Sequence, residues 1–180
     1  MAPCSFWTRL LAALVFAAAL AVFGTAAQAQ TAGCSGAVCN VTVAADPGTA
    51  NTGATGGTGT LSYAVAYANA YGNGVTIDIF TNVTLNGPLS PILNSTMING
   101  EGGGYTITAI SSTSNRVFFV GTDVANEIGN ARQAVSISNL TLTGAATGGA
   151  GGNGGGGGGL GAGGAIFIAP SADVTLSSVS

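Results

Sequence analysis

Val75-Thr76-Ile77-Asp78-Ile79 alternates β-branched apolar residues with polar ones over five positions. A period of two puts Val75, Ile77 and Ile79 on one face of a strand and Thr76 and Asp78 on the other. The same pattern recurs downstream in short runs: Val83 with Leu85, Ile98, Tyr105 with Ile107, Val117 with Phe119, Val135 with Ile137, Leu140 with Leu142, Ile166 with Ile168, and Val174 with Leu176. Each run is bounded by Gly, Asn, Ser, Thr or Pro, the residues that close strands and form turns. Ile77 to Ile98 is 21 residues, Ile98 to Phe119 is 21, Phe119 to Ile137 is 18, and Ile137 to Ile166 is 29. No helix-period segment separates these strands, which argues against alternating βαβ units. The spacing predicts an all-β fold: a right-handed parallel β-helix, a solenoid of about 20-residue coils.

Upstream of Val75 the period changes. Leu61, Ala64, Val65 and Ala68 fall at i, i+3, i+4 and i+7, one face of a helix. Thr60 suits its N-cap, and Gly72 and Gly74 end it, so a short helix is expected over residues 61–71. Its expected role is to cap the open end of the β array, whose unpaired backbone and apolar interior need a cover. The last run, begun at Val174, has no such cap, so the C-terminal end of the solenoid reads as incomplete. Asn94, Asn99 and Asn139 flank strands, where asparagine adopts left-handed backbone geometry or bonds the backbone at a corner.

Residues 1–29 carry one cation, Arg9, ahead of a 14-residue apolar run over residues 10–23, and end in Ala27-Gln28-Ala29. This is the pattern of a secretory signal peptide cleaved between Ala29 and Gln30. The apolar run is short of the roughly 20 residues that a membrane anchor needs. Residues 30–59 read as an extended lead-in, with little to bury beyond Val41 and Val43. Cys34 and Cys39 lie within it, and an even count in an oxidising compartment favours a small disulfide loop over two free thiols. Residues 60–180 form the β region. Within it, residues 144–164 hold 14 Gly in 21 positions and read as a flexible insertion.

Composition narrows the chemistry. Among 180 residues there is no His and no Lys, and charged residues make up 5%, against about 25% in ordinary soluble chains. Without His there is no Ser-His-Asp set and no imidazole ligand for a metal. Without Lys there is no phosphate loop of the Walker type. The chain beyond residue 29 has two arginines against six acids, a net charge of −4, and no basic footprint for nucleic acid. The six acids are Asp46, Asp78, Glu101, Asp123, Glu127 and Asp173. Only Asp123 and Glu127 are close in sequence, near Arg132, and they read as a solvated turn; Asp78 reads as pointing outward. No catalytic, cofactor-binding or metal-binding residue is expected, and no cofactor. Asn-x-Ser/Thr sequons at Asn40, Asn82, Asn94 and Asn139 read as chance in an Asn- and Thr-rich sequence.

Taken together, the segment Thr60-Leu61-Ser62-Tyr63-Ala64-Val65-Ala66-Tyr67-Ala68-Asn69-Ala70 resembles the capping segment that opens many bacterial β-helix surface proteins. Val135-Ser136-Ile137-Ser138-Asn139-Leu140-Thr141-Leu142-Thr143-Gly144, the glycine tract, and Gly163-Gly164-Ala165-Ile166-Phe167-Ile168 are similar to passenger domains of type V autotransporters and polymorphic outer-membrane proteins. The resemblance implies an exported passenger at the cell surface, structural or adhesive rather than catalytic, with an unidentified surface or host ligand. It also implies attachment to the outer membrane through a C-terminal barrel not present in this chain. Alternatives are a secreted carbohydrate-active enzyme with catalytic residues further downstream and a periplasmic structural fragment. N-terminal sequencing of the exported protein should read Gln30 first; a start at Met1 refutes cleavage.

Overall fold

The structure, a computed structural model, describes residues 32–48, 56–110, 116–122, 132–144 and 164–180. The expected signal peptide, its cleavage point at Ala29 and Gln30, the acids Asp123 and Glu127, and all but the ends of the glycine tract lie outside the described residues. Eleven strands and one helix occupy the described chain: β1 (Gly33–Ser35), β2 (Val38–Val41), β3 (Ala45–Asp46), α1 (Leu61–Tyr71), β4 (Val75–Ile79), β5 (Val83–Leu85), β6 (Thr96–Gly100), β7 (Tyr105–Ala109), β8 (Phe118–Val120), β9 (Gln133–Thr143), β10 (Ile166–Ile168) and β11 (Ala172–Val179). The helix occupies the residues its periodicity indicates. The interval read as a lead-in instead holds β1, β2 and β3.

The chain does not form the expected right-handed parallel β-helix of equal coils. Nine strands make one curled sheet in the order β1-β2-β4-β6-β9-β7-β5-β3, with β11 added against β9, so the architecture is a half-barrel with mixed pairing. β1 and β2 pair antiparallel, whereas the other pairs are parallel. β8 and β10 form a separate two-stranded sheet. The inward row that contains Ile77 explains why a uniform coil fails. Its members in register are Cys39, Ile77, Ile98, Ile137 and Leu176, at intervals of 38, 21, 39 and 39 residues. Only the 21-residue step matches the expected repeat. Phe119 falls out of the row and pairs with Phe167 in the small sheet. Ile98 and Ile137 are adjacent even though β7 and β8 lie between them in sequence.

The curl originates in β9. Its first half pairs with β6 and its second half with β7, so one 11-residue strand joins both rows of the sheet. Val135-Ser136-Ile137-Ser138 and Leu140-Thr141-Leu142-Thr143 are therefore one strand with a corner. The corner is Asn139, at φ 56°, beside a second left-handed residue in β11, Ser178 at φ 53°. Asparagine tolerates this backbone better than other residues with a side chain. On the other flank the sequence supplies Gly100, where a Cβ would overlap the Asn139 carbonyl oxygen. Within the curl, Ile77, Ile79, Leu85, Ile98, Ile107 and Ile137 are fully buried and form the core.

The helix packs against β1, β2 and β4 through Leu61, Ala64, Val65 and Ala68. Thr60 caps its start, with Oγ1 accepting from the Tyr63 amide at 3.3 Å. The buried Asp46 carboxylate, at the end of β3, accepts from the Ser62 amide at 2.7 Å and the Gly48 amide at 2.8 Å. One side chain thus ties the last residue of a strand to the first turn of the helix, where the helix dipole favours negative charge. Gly72, at φ 107°, ends the helix and returns its amide to the Ala68 carbonyl at 3.0 Å. Asn94 adds two side-chain bonds to the Ala68 and Asn69 carbonyls, at 3.3 and 3.0 Å, which anchor the loop before β6 to the helix end.

The corner makes a direct prediction. Asn139→Gly should fold with stability close to the parent. Asn139→Val, β-branched at positive φ, should lose about 1–3 kcal/mol. Urea denaturation of the two variants checks the difference, and equal stabilities refute the role given to the corner.

Candidate functional site

The outer face of the half-barrel carries its polar chemistry. Because side chains alternate along each strand, residues between the inward apolar ones form rows that cross the sheet. One row is Asn40, Asp78, Asn99, Ser138 and Ser177; a second is Val38, Thr76, Met97, Ser136 and Thr175. Beyond the corner, Thr84, Thr108 and Thr143 make a third.

The first row contains the densest polar network. Asn99 Oδ1 accepts from Ser138 Oγ at 3.0 Å and from Asn139 Nδ2 at 2.9 Å, while Asn99 Nδ2 donates to Glu101 Oε1 at 2.6 Å. Asn99 is therefore satisfied from three directions and holds the corner residue through its side chain. Asp78 stands opposite Asn99 in register, and Glu101 follows β6, its amide donating to the Ile79 carbonyl at 3.0 Å. Partial burial pushes the Asp78 carboxyl above its usual range; the negative charge of Glu101 adds to this, and a hydrogen bond from Asn99 opposes it.

Two neighbouring carboxylates are the raw material of acid–base chemistry when their environments separate their roles. Glycoside cleavage, however, needs them to flank a bound chain in a cleft. Asp78 and Glu101 lie side by side on an outward sheet face. The small hollow of about 120 Å³ beside β1 is lined by Ala32, Gly33, Cys34, Ser35, Val38 and Asn40, and holds neither acid. Among the described residues no three of His, Cys, Asp or Glu converge to hold a metal ion.

Among the described residues, the two other acids, Asp46 and Asp173, are engaged elsewhere. Asp46 is consumed by the helix N-terminus. Asp173 is the second residue of β11 and forms an exposed ion pair with Arg132, Nη1 to Oδ1 at 2.9 Å, while Arg132 Nε and Nη2 also donate to the Pro170 carbonyl. An exposed pair of this kind contributes about 0–1 kcal/mol. Cys34 and Cys39 are joined by a disulfide across the β1–β2 hairpin, where they are direct register partners. The proximity of Asp78 to Glu101 is not apparent from the acids taken one by one. The 21-residue step from Ile77 to Ile98 is the available signal, since it also carries Asp78 onto Asn99.

Compared with models of protein families, with curated proteins and with solved structures, the chain matches none.

The raised proton affinity of Asp78 sets a sign. Its protonated form is favoured by folding, so its contribution to stability is present below the ordinary carboxylate range and is lost as pH rises through the raised value. Asp78→Asn should therefore be more stable than the parent at about pH 7 and converge with it near about pH 3. Denaturant midpoints across that range check this; a variant less stable at neutral pH contradicts it.

Proposed function

We propose that the chain is an exported surface module of the autotransporter-passenger kind, structural and adhesive rather than catalytic. The observation that carries the reading is the outer face of the half-barrel, where five strands align mostly amide and hydroxyl side chains around one carboxylate, in the row Asn40, Asp78, Asn99, Ser138 and Ser177, beside a second row in which Thr76, Ser136 and Thr175 alternate with the exposed Val38 and Met97. Such a face offers repeated hydrogen-bond donors and acceptors at strand spacing, about 4.8 Å, with charge confined to Asp78 and Glu101. It suits an uncharged, hydroxyl-rich surface better than nucleic acid or an anionic membrane, both of which call for a basic patch. The signal-like residues 1–29 and the scarcity of Lys and Arg support export. An alternative catalytic role would need a cleft around Asp78 and Glu101, which the open sheet face does not supply.

The test is protease treatment of intact cells that produce the protein together with whatever follows residue 180 in its gene. Rapid loss of the β region, with a cytoplasmic marker left intact, is expected. Protection until the outer envelope is opened would place the chain inside the cell envelope and defeat the reading.

A further inference from the structure

Three Asn-Gly dipeptides fall among the described residues: Asn73-Gly74, Asn86-Gly87 and Asn99-Gly100. A glycine after asparagine has no Cβ to hinder attack of its backbone nitrogen on the asparagine side chain. All three therefore share one intrinsic reactivity, and the fold treats them differently. At Asn73 both reacting groups are engaged: Oδ1 accepts from the Ser95 amide at 2.8 Å, and the Gly74 amide donates to the Ser95 carbonyl at 2.8 Å. Asn99 lies inside β6, with its side-chain oxygen bonded to Ser138 and Asn139 and its nitrogen to Glu101. Asn86 follows β5 and is exposed, and among the described residues neither its side chain nor the Gly87 amide has a hydrogen-bond partner.

We propose that Asn86-Gly87 is a site of spontaneous covalent modification, at which asparagine converts to aspartate and isoaspartate with water as the only co-reactant. The Gly87 nitrogen, having lost its proton to solvent base, attacks Asn86 Cγ. The new N–C bond closes a cyclic succinimide, and the side-chain nitrogen takes up a proton and leaves as ammonia. Water then opens the ring at either carbonyl. Opening at the former side-chain carbonyl gives aspartate. Opening at the backbone carbonyl gives isoaspartate, whose main chain runs through Cβ and is longer by a methylene.

The position gives the change a structural effect. The Asn86 amide donates to the Asp46 carbonyl at 2.8 Å, and Asp46 pairs with Leu85, so the dipeptide sits at the seam between β3 and β5. The backbones of Gly48 and Gly87 touch there, since a Cβ on Gly48 would lie 2.5 Å from the Gly87 carbonyl carbon and oxygen. A main chain lengthened at residue 86 drives Gly87 against Gly48, whose amide is held by the same Asp46 carboxylate that accepts from Ser62. Isoaspartate therefore loosens β3 and, with it, the tie to the start of α1. Aspartate at the same place adds a charge to an exposed side chain and leaves the main chain as it was.

The experiment holds the exported chain folded in mildly alkaline buffer, samples it over time, then denatures it and cuts it with chymotrypsin, whose sites at Tyr71, Phe80 and Leu93 separate the three dipeptides. Asn153-Gly154, outside the described residues, falls on another peptide and does not enter the comparison. Mass spectrometry should show the Asn86 peptide exchanging its side-chain NH2 for OH several-fold faster than the Asn73 and Asn99 peptides. In urea sufficient to unfold the chain, the three rates should converge. The isoaspartyl chain, separated by chromatography, should unfold at lower urea than the parent, whereas Asn86→Asp should unfold with the parent. Equal rates in the folded chain, faster conversion at Asn73 or Asn99, or the folded order of rates persisting in urea would each overturn the proposal. An Asn86→Asp chain as unstable as the isoaspartyl one would overturn the role given to main-chain length.

Discussion

A single left-handed residue in the longest strand holds the two rows of the sheet at an angle. Without a turn at Asn139, the 11 residues of β9 would run straight, and β6 and β7 could not share it as a neighbour. Everything inside the curl depends on that sharing: Ile98 meets Ile137 on one side of the corner and Ile107 meets Leu142 on the other. The corner is supported from three places. Gly100 leaves room for the Asn139 carbonyl, Asn99 accepts from the Asn139 side chain, and Ser178 repeats the bend in the next strand. A local conformational preference of asparagine thus sets the shape of the whole core.

The polar network on the outer face is a by-product of the same corner. Asn99 reaches Ser138 and Asn139 because its strand is pinned beside the bend, and Glu101 leaves the strand where the sheet turns. The raised proton affinity of Asp78 comes first from its partial burial and then from the charge of Glu101, with the Asn99 bond opposing both. Structure and surface chemistry are therefore not separable here, since the side chain that accepts from the corner also bonds one of the two acids.

The strands and the helix are legible in the chain because their periods are local. Val75 to Ile79 alternates in two and Leu61 to Ala68 in three and four, and neither needs a distant partner to be read. Asn139 as a corner is legible for the same reason. Pairing is not. The equal spacing of Ile77, Ile98 and Phe119 suggests one ladder, yet Phe119 leaves it for Phe167, and Ile137 takes the place beside Ile98. A period counts residues, whereas a sheet selects partners by what lies opposite once the intervening chain has been routed elsewhere. The antiparallel β1–β2 hairpin is missed for a related reason: Gly33-Cys34-Ser35 has no alternation, and its strand is defined by a turn and the Cys34–Cys39 bond. For the acids, one-dimensional distance hides the coupling of Asp78 to Glu101.

The long intervals along the inward row also bear on time. Steps of 38, 21, 39 and 39 residues mean that nearly every pairing in the main sheet closes a large loop before it gains any burial, with the six-residue Cys34–Cys39 hairpin as the local exception. Chains dominated by such distant pairings fold in milliseconds to seconds, not microseconds. The main sheet of this polypeptide therefore closes no faster than its most distant strands can find each other. Its strand order, which gives the half-barrel its core, also gives it a slow clock.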